Sequence, residues 1–209
     1  MAGRIDSLKR AAAFAWRQLR IFVRAQWLYL VHVLALIRPG APVPTFRAHQ
    51  IAAQPLTGWS DDELQLMVDE GRRQADRQLA DLEQIRGRAQ WLFTVGVPIV
   101  TAIATVIAAI GNGDSAWWKV AWVASLLIAG YGVVGAAAIM TIRADFNEID
   151  SAVLSGYKPP ILARLAVDYA EMLAVGEDTV ATRLTVFRQA VVWLIIGGYG
   201  GLITWLAVR

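Results

Sequence analysis

The sequence contains no cysteine and only two histidines, His32 and His49. A disulfide framework and a thiolate metal site are thereby excluded, and His-based metal or acid–base chemistry has almost nothing to work with. Charge is scarce as well: 18% of the 209 residues are Asp, Glu, Lys or Arg, against 56% hydrophobic. Soluble domains carry about 25% charge. The longest apolar runs hold no ionisable group at depth, Lys119 and Arg188 standing near the ends of theirs. Ion-coupled transport, which keeps such groups at mid-membrane, is disfavoured. Trp and Gly, by contrast, are abundant at nine and seventeen, and both are enriched in membrane helices and their interfaces. The net charge of +3 comes from Arg residues that border apolar runs, a pattern that points to a lipid bilayer rather than nucleic acid.

Three runs reach the roughly 20 apolar residues that a bilayer crossing needs. They are Gln90 to Ile110, about Trp117 to Ile142, and about Gln189 to Val208. Only "GNGDSA" separates the first two, a turn-rich linker with no basic residue. Arg72, Arg73, Arg77, Arg86 and Arg88 precede the first run; Arg143 and Lys158 follow the second; Arg164, Arg183 and Arg188 precede the third. Basic residues stay on the cytoplasmic side. The expected protein is therefore an all-α integral protein of the inner (plasma) membrane with three transmembrane helices, its N-terminus cytoplasmic and its C-terminus outside. Trp91 then marks the inner interface, and Trp117, Trp118 and Trp122 the outer one.

The N-terminal stretch 1–38 is different. "AQWLYLVHVLALI" offers only 13 residues before Arg38 and Pro39, too few to span. Upstream, Arg10, Arg17, Arg20 and Arg24 share one helical face, and Leu8, Ala12, Ala15, Leu19 and Phe22 take the opposite one. This is the pattern of a basic amphipathic helix in the interface plane. A fourth span would leave one Arg cluster on the wrong side, and a signal peptide lacks an A-x-A site free of proline in "RPGAPVP". Residues 39–59 read as a Pro-containing linker.

Residues 60–89 form a charged rod. "SDDE" offers Ser60 as N-cap and Glu63 three residues on, with Trp59 and Leu64 as a staple. Small or apolar residues recur at Leu64, Val68, Gly71, Ala75, Leu79, Leu82, Ile85, Ala89 and Leu92, a spacing near 3.5 that marks a coiled-coil-like seam. Opposite charges at i,i+4 pair Asp69 with Arg73, Arg72 with Asp76 and Arg77 with Asp81. The phase runs on into the first span, so the expected helix is continuous from Asp61 towards Ile110, with a kink at Pro98. Its seam serves either a second copy or the chain's own segment 144–185, which also reads helical through "LARLAVDYAEMLAV".

"GYGVVG" matches the dinucleotide pattern G-x-G-x-x-G, but it lies mid-span with no strand before it. Gly130 and Gly132 are read instead as helix-packing positions, the latter in a stripe with Ser125, Ala129 and Ala136; Gly197 and Gly201 of "GGYGG" form a second such motif. Thr101 and Thr105 are candidates to line a pore between several copies, set against simple bonding back to their own helix. Asp145, Glu148 and Asp150 read as a solvated face, and Arg72, Arg73 and Arg77 as salt-bridging partners rather than a phosphate site. No catalytic, cofactor or metal site emerges, and a non-enzymatic role is expected.

The rod "DEGRRQADRQLADLEQIRGRAQWLF", the two-span hairpin 90–142 and the helix around "LAVDYAEMLAV" together resemble the SLATT-type small membrane effectors of bacterial conflict and anti-phage systems. The resemblance covers about half the chain; the third span and the N-terminal basic helix depart from a two-span pattern. It implies a protein that perturbs or permeabilises the inner membrane when a partner sensor is triggered. The expected function is a self-associating, pore-forming or membrane-perturbing effector; the alternative is an accessory subunit packed beside a larger membrane complex.

Overall fold

A computed structural model describes residues 2–38, 44–45, 56, 58–109, 116–142, 156–157 and 160–208, with backbone alone for 2–12 and 208. The regular elements among them are all helices: α1 (Ala2–Ala35), α2 (Asp61–Ala109), α3 (Ala116–Thr141) and α4 (Ile161–Val208). Three of these, α2, α3 and α4, are long and apolar enough to cross a membrane. The acidic residues Asp145, Glu148 and Asp150 and most of the 39–59 linker lie outside the described residues.

The capping box forms as its sequence demands. Ser60 N donates to Glu63 Oε2 at 2.8 Å and Glu63 N donates to Ser60 Oγ at 3.3 Å, satisfying two donors that a helix start leaves orphaned. From there α2 runs 49 residues through Pro98 without a break, about 74 Å. The last helix is the surprise: α4 is equally long at 48 residues. The segment expected to end at residue 188 and the span expected from 189 lie on one unbroken helix. No proline lies within residues 161–208, so the backbone never loses a donor and the helix continues as composition shifts from charged to apolar.

Helices α2 and α4 lie side by side and parallel. Gly71 abuts Tyr169, Gln78 bonds the Leu173 carbonyl, Gly96 approaches Leu194 and Ile103 meets Gly201. Helix α3 runs antiparallel to both along their apolar halves, with Val133 at Gly96, Ala129 at Gly197 and Trp122 at Gly201. The main core therefore fills the three-helix half, while a smaller one of Leu64, Val68 and Ala166 closes the charged end. Around the three-helix half the surface is apolar: Trp117, Leu127, Ile203 and Leu206 are each more than 60% exposed. Hydrocarbon is the solvent such a surface suits.

Helix α1 joins through one face of its second half. Ala25, Leu28, Tyr29 and His32 are buried, whereas every described residue from 13 to 24 is exposed. The run Ala25 to Ile37 is thus not a free interfacial helix along its whole length; it is anchored to α3 and α4. Leu19, Val23, Trp27, Leu30 and Leu34 form an exposed apolar strip on the far side. Arg17, Arg20 and Arg24 lie exposed on the flank.

Candidate functional site

The functional candidate is the α2–α4 rod, taken from its charged tip to its apolar end. At the tip a cleft of about 470 Å³ opens between the two helices, lined chiefly by Trp59, Leu66, Met67, Tyr169 and Leu173 with Glu63 and Glu70 on its rim. Gly71 brings the helices together beneath it; an added Cβ would stand 3.1 Å from Tyr169 Cβ. Arg72 hydrogen-bonds Tyr169, which raises its already high pKa. Arg73 pairs with Glu70 at 2.6 Å, three residues before it, in place of the expected Asp69 four before; Asp69 instead accepts from Gln65 at 3.1 Å. Near the start of α4, Tyr157 donates to Asp168, and that bond pushes the phenol up.

Glu63 and Glu70 are both held below the usual carboxylate range, the first by Ser60 and the second by Arg73 and Gln74. A depressed folded pKa means support that is present above the ordinary value of 4.5 and lost as pH falls through the folded one. Acidification below about pH 4 is therefore expected to fray α2 from Asp61 inward while the apolar bundle holds. Hydrogen exchange of the 61–71 amides against those of 96–103 checks this.

Further along, the seam is spent inside the chain. Leu64, Val68, Ile85, Ala89 and Leu92 are buried, and Ala75 and Leu82 are half-buried; Leu64 and Val68 pack with Ala166 of α4, and Ile85, Ala89 and Leu92 join the main core. Leu79 corrects the sequence reading: it is 47% exposed. Strict alternation of 4 and 3 from Val68 through Gly71 and Ala75 brings Gln78 inward and turns Leu79 out. Gln78 Nε2 donates to the Leu173 carbonyl at 3.0 Å, and its buried Oε1 has no partner among the described residues. Gln78→Leu is expected to stabilise the rod by about 1 kcal/mol, since it removes a stranded acceptor and adds an apolar contact. Denaturant titration in detergent measures it; a loss of similar size would show that the amide holds the register.

At the base of the apolar half a polar layer ties three helices. Gln26 Nε2 donates to Gln189 Oε1 at 2.5 Å, Trp193 Nε1 donates to Gln26 Oε1 at 3.2 Å, and Tyr29 Oη donates to the Tyr131 carbonyl at 2.6 Å. The Tyr29 and Tyr131 rings stack edge to face, 4.7 Å apart. Beside them Arg183 donates to the carbonyls of Ile139 at 2.8 Å and Ile142 at 2.5 Å. It caps the last turn of α3, where carbonyls lack helical donors and a cation suits the dipole. Sequence reading counted Arg183 only as a charge. Its role as a cap depends on α4 passing the end of α3, which spacing along one helix does not reveal.

In the apolar half the glycines do what their context predicts, with one exception. A Cβ at Gly132 would stand 2.6 Å from Leu194 N and 2.8 Å from the Ala190 oxygen; one at Gly197 would strike the Ala129 backbone; Gly201 lies against Ile103 and Trp122. Ala136 is fully buried. Gly130 meets nothing within 4 Å. Two residues from Gly132 is about 200° round the helix, so it faces away from the bundle. Trp91 and Trp117 are exposed and Trp118 half-buried, but Trp122, expected at the interface, is only 4% exposed and packs inside. Thr101 and Thr105 are exposed on the outer face of α2, their hydroxyls donating to the Val97 and Thr101 carbonyls at 2.9 Å.

Comparison with family models, curated proteins and solved structures finds no match. The site must speak through its own chemistry. Among the described residues no three His, Cys, Asp or Glu side chains gather as a metal ligand set. What the rod does have is an open cleft at one end, an apolar bundle at the other, and two unbroken helices joining them.

Proposed function

We propose that this protein is a non-enzymatic inner-membrane effector that self-associates and permeabilises the membrane when its cytoplasmic tip is engaged. The observation that carries this reading is the pair of parallel helices running from the Trp59–Tyr169 cleft into the apolar bundle. A displacement imposed at the Trp59–Tyr169 cleft has a direct path to the spans, because neither helix is interrupted by a loop that absorbs it. The layout resemblance to SLATT-type effectors points the same way. In this reading the charged halves of α2 and α4, with the N-terminus, lie in the cytoplasm, α3 returns antiparallel through the bilayer, and the C-terminus is outside. The strand of charge before each inward-to-outward helix agrees with that orientation.

Self-association then uses a surface other than the heptad seam and the Gly132, Gly197 and Gly201 contacts, which are occupied within the chain. The test is reconstitution of the full chain in liposomes of bacterial lipid. Oligomers in mild detergent, together with dye release or ion conductance that rises when the tip is cross-linked or bound, are the expected result. A strictly monomeric protein that never conducts or leaks overturns the reading. Stoichiometric foreign subunits on native purification would favour an accessory role in a larger complex, for which the exposed apolar strip of α1 supplies a surface.

A further inference from the structure

The outer face of α2 is not simply apolar. Thr94, Pro98, Thr101 and Thr105 follow one another at steps of 4, 3 and 4, so they share a single stripe. All four are exposed. The buried residues Leu92, Gly96 and Ile103 lie about 180° away, which points the stripe directly out of the bundle. It extends roughly 16 Å along the axis, about half of a hydrocarbon core.

The stripe presents acceptors only. Each threonine proton is spent on its own helix: Thr94 donates to the Gln90 carbonyl at 3.0 Å, Thr101 to Val97 and Thr105 to Thr101 at 2.9 Å. What remains outward is hydroxyl oxygen lone pairs. Pro98 has no N–H, so the Thr94 carbonyl loses its helical donor on the same stripe. Hydrocarbon offers no donor to these oxygens. Water does, and a cation is the ion that such a wall coordinates.

We propose that the Thr94–Pro98–Thr101–Thr105 face lines a water-filled path for hydrated monovalent cations, closed by the same face of further copies of this chain. The proposal rests on the pore reading above and adds its wall and its charge preference. A single copy leaves the wall open on one side, so the path is incomplete without its neighbours.

The absence of native cysteine makes the test direct. Single variants Thr94→Cys, Thr101→Cys and Thr105→Cys, with Leu127→Cys and Ile203→Cys as outward apolar controls, are placed in the full chain in liposomes. A water-soluble cationic thiosulfonate is expected to label the three threonine positions and neither control. Reversal potentials in a KCl gradient are expected to favour potassium over chloride. Thr101→Val with Thr105→Val, near-isosteric and neutral to the fold, is expected to lower conductance about tenfold at unchanged oligomer size. A conducting protein whose threonine positions label no faster than the controls, and whose double valine variant conducts normally, overturns this wall and leaves the pore reading standing. A protein that neither assembles nor conducts overturns the pore reading, and with it the cation path, whatever the labelling shows.

Discussion

Gly197→Leu is expected to unseat α3 from α4 and cost about 3 kcal/mol, the upper end of overpacking effects. The reason is the identity of the atoms in the way. A Cβ at Gly197 meets the Ala129 nitrogen and stands 2.6 Å from its Cα. Backbone atoms in a helix cannot move aside as a long side chain can, so the two helices must separate along their length. Separation also strips contact from Leu194 and Ala190, which lie against Gly132 one layer below. Gly130→Leu is the matched control. It changes the same residue type on another long apolar helix but meets nothing within 4 Å, so its expected effect is within about 0.5 kcal/mol. Unfolding in mixed micelles, followed by tryptophan fluorescence, measures both. Equal effects at the two positions would show that helix propensity, and not close approach, governs the glycines. A large effect at Gly130 on oligomer size alone would instead mark its face as a contact between copies.

Arg183→Leu is expected to cost about 2 kcal/mol and to loosen the end of α3. Two carbonyls, of Ile139 and Ile142, lose a charged donor at once, and each charge-assisted bond contributes about 1.5–3 kcal/mol before solvent screening. Arg183 is only half-buried, so water recovers part of that loss. Arg183→Lys is expected to restore less than half, because an ammonium is a single point charge and cannot bridge both oxygens as a planar guanidinium does. Hydrogen exchange at residues 138–142 and thermal unfolding report the two effects together. If Arg183→Lys matches the parent in both, the charge near the helix end suffices and the paired geometry is incidental.

Several features were legible in one dimension because they depend on local spacing alone. The Ser60–Glu63 cap needs only four consecutive residues. The continuity of α2 past Arg88 follows from an unbroken heptad phase. The stripe through Ala129, Gly132 and Ala136 is a matter of helical period. Leu79 and Gln78 show where this logic slips: both fit an average spacing near 3.5, and only the position of α4 decides which one turns inward. Trp122 shows a second failure. An indole near the end of a span usually marks the interface, but Gly201 on α4 opens a place for it beside Ile103, and that opening lies 79 residues away in the chain. The polar layer of Gln26, Gln189, Trp193 and Tyr29 was missed altogether, since no short motif announces two glutamines 163 residues apart.

By itself, the sequence determined the class of solvent and the number of apolar helices. Both follow from composition and run length, because transfer into hydrocarbon is summed residue by residue. Only the tertiary structure decided what the heptad seam touches. A 3.5-residue repeat specifies that a helix has a partner and leaves its identity open. Here the partner is α4, made parallel to α2 by an antiparallel α3 between their apolar halves, so the rod's seam is satisfied within one chain. The face left free is the opposite one, where the threonines stand.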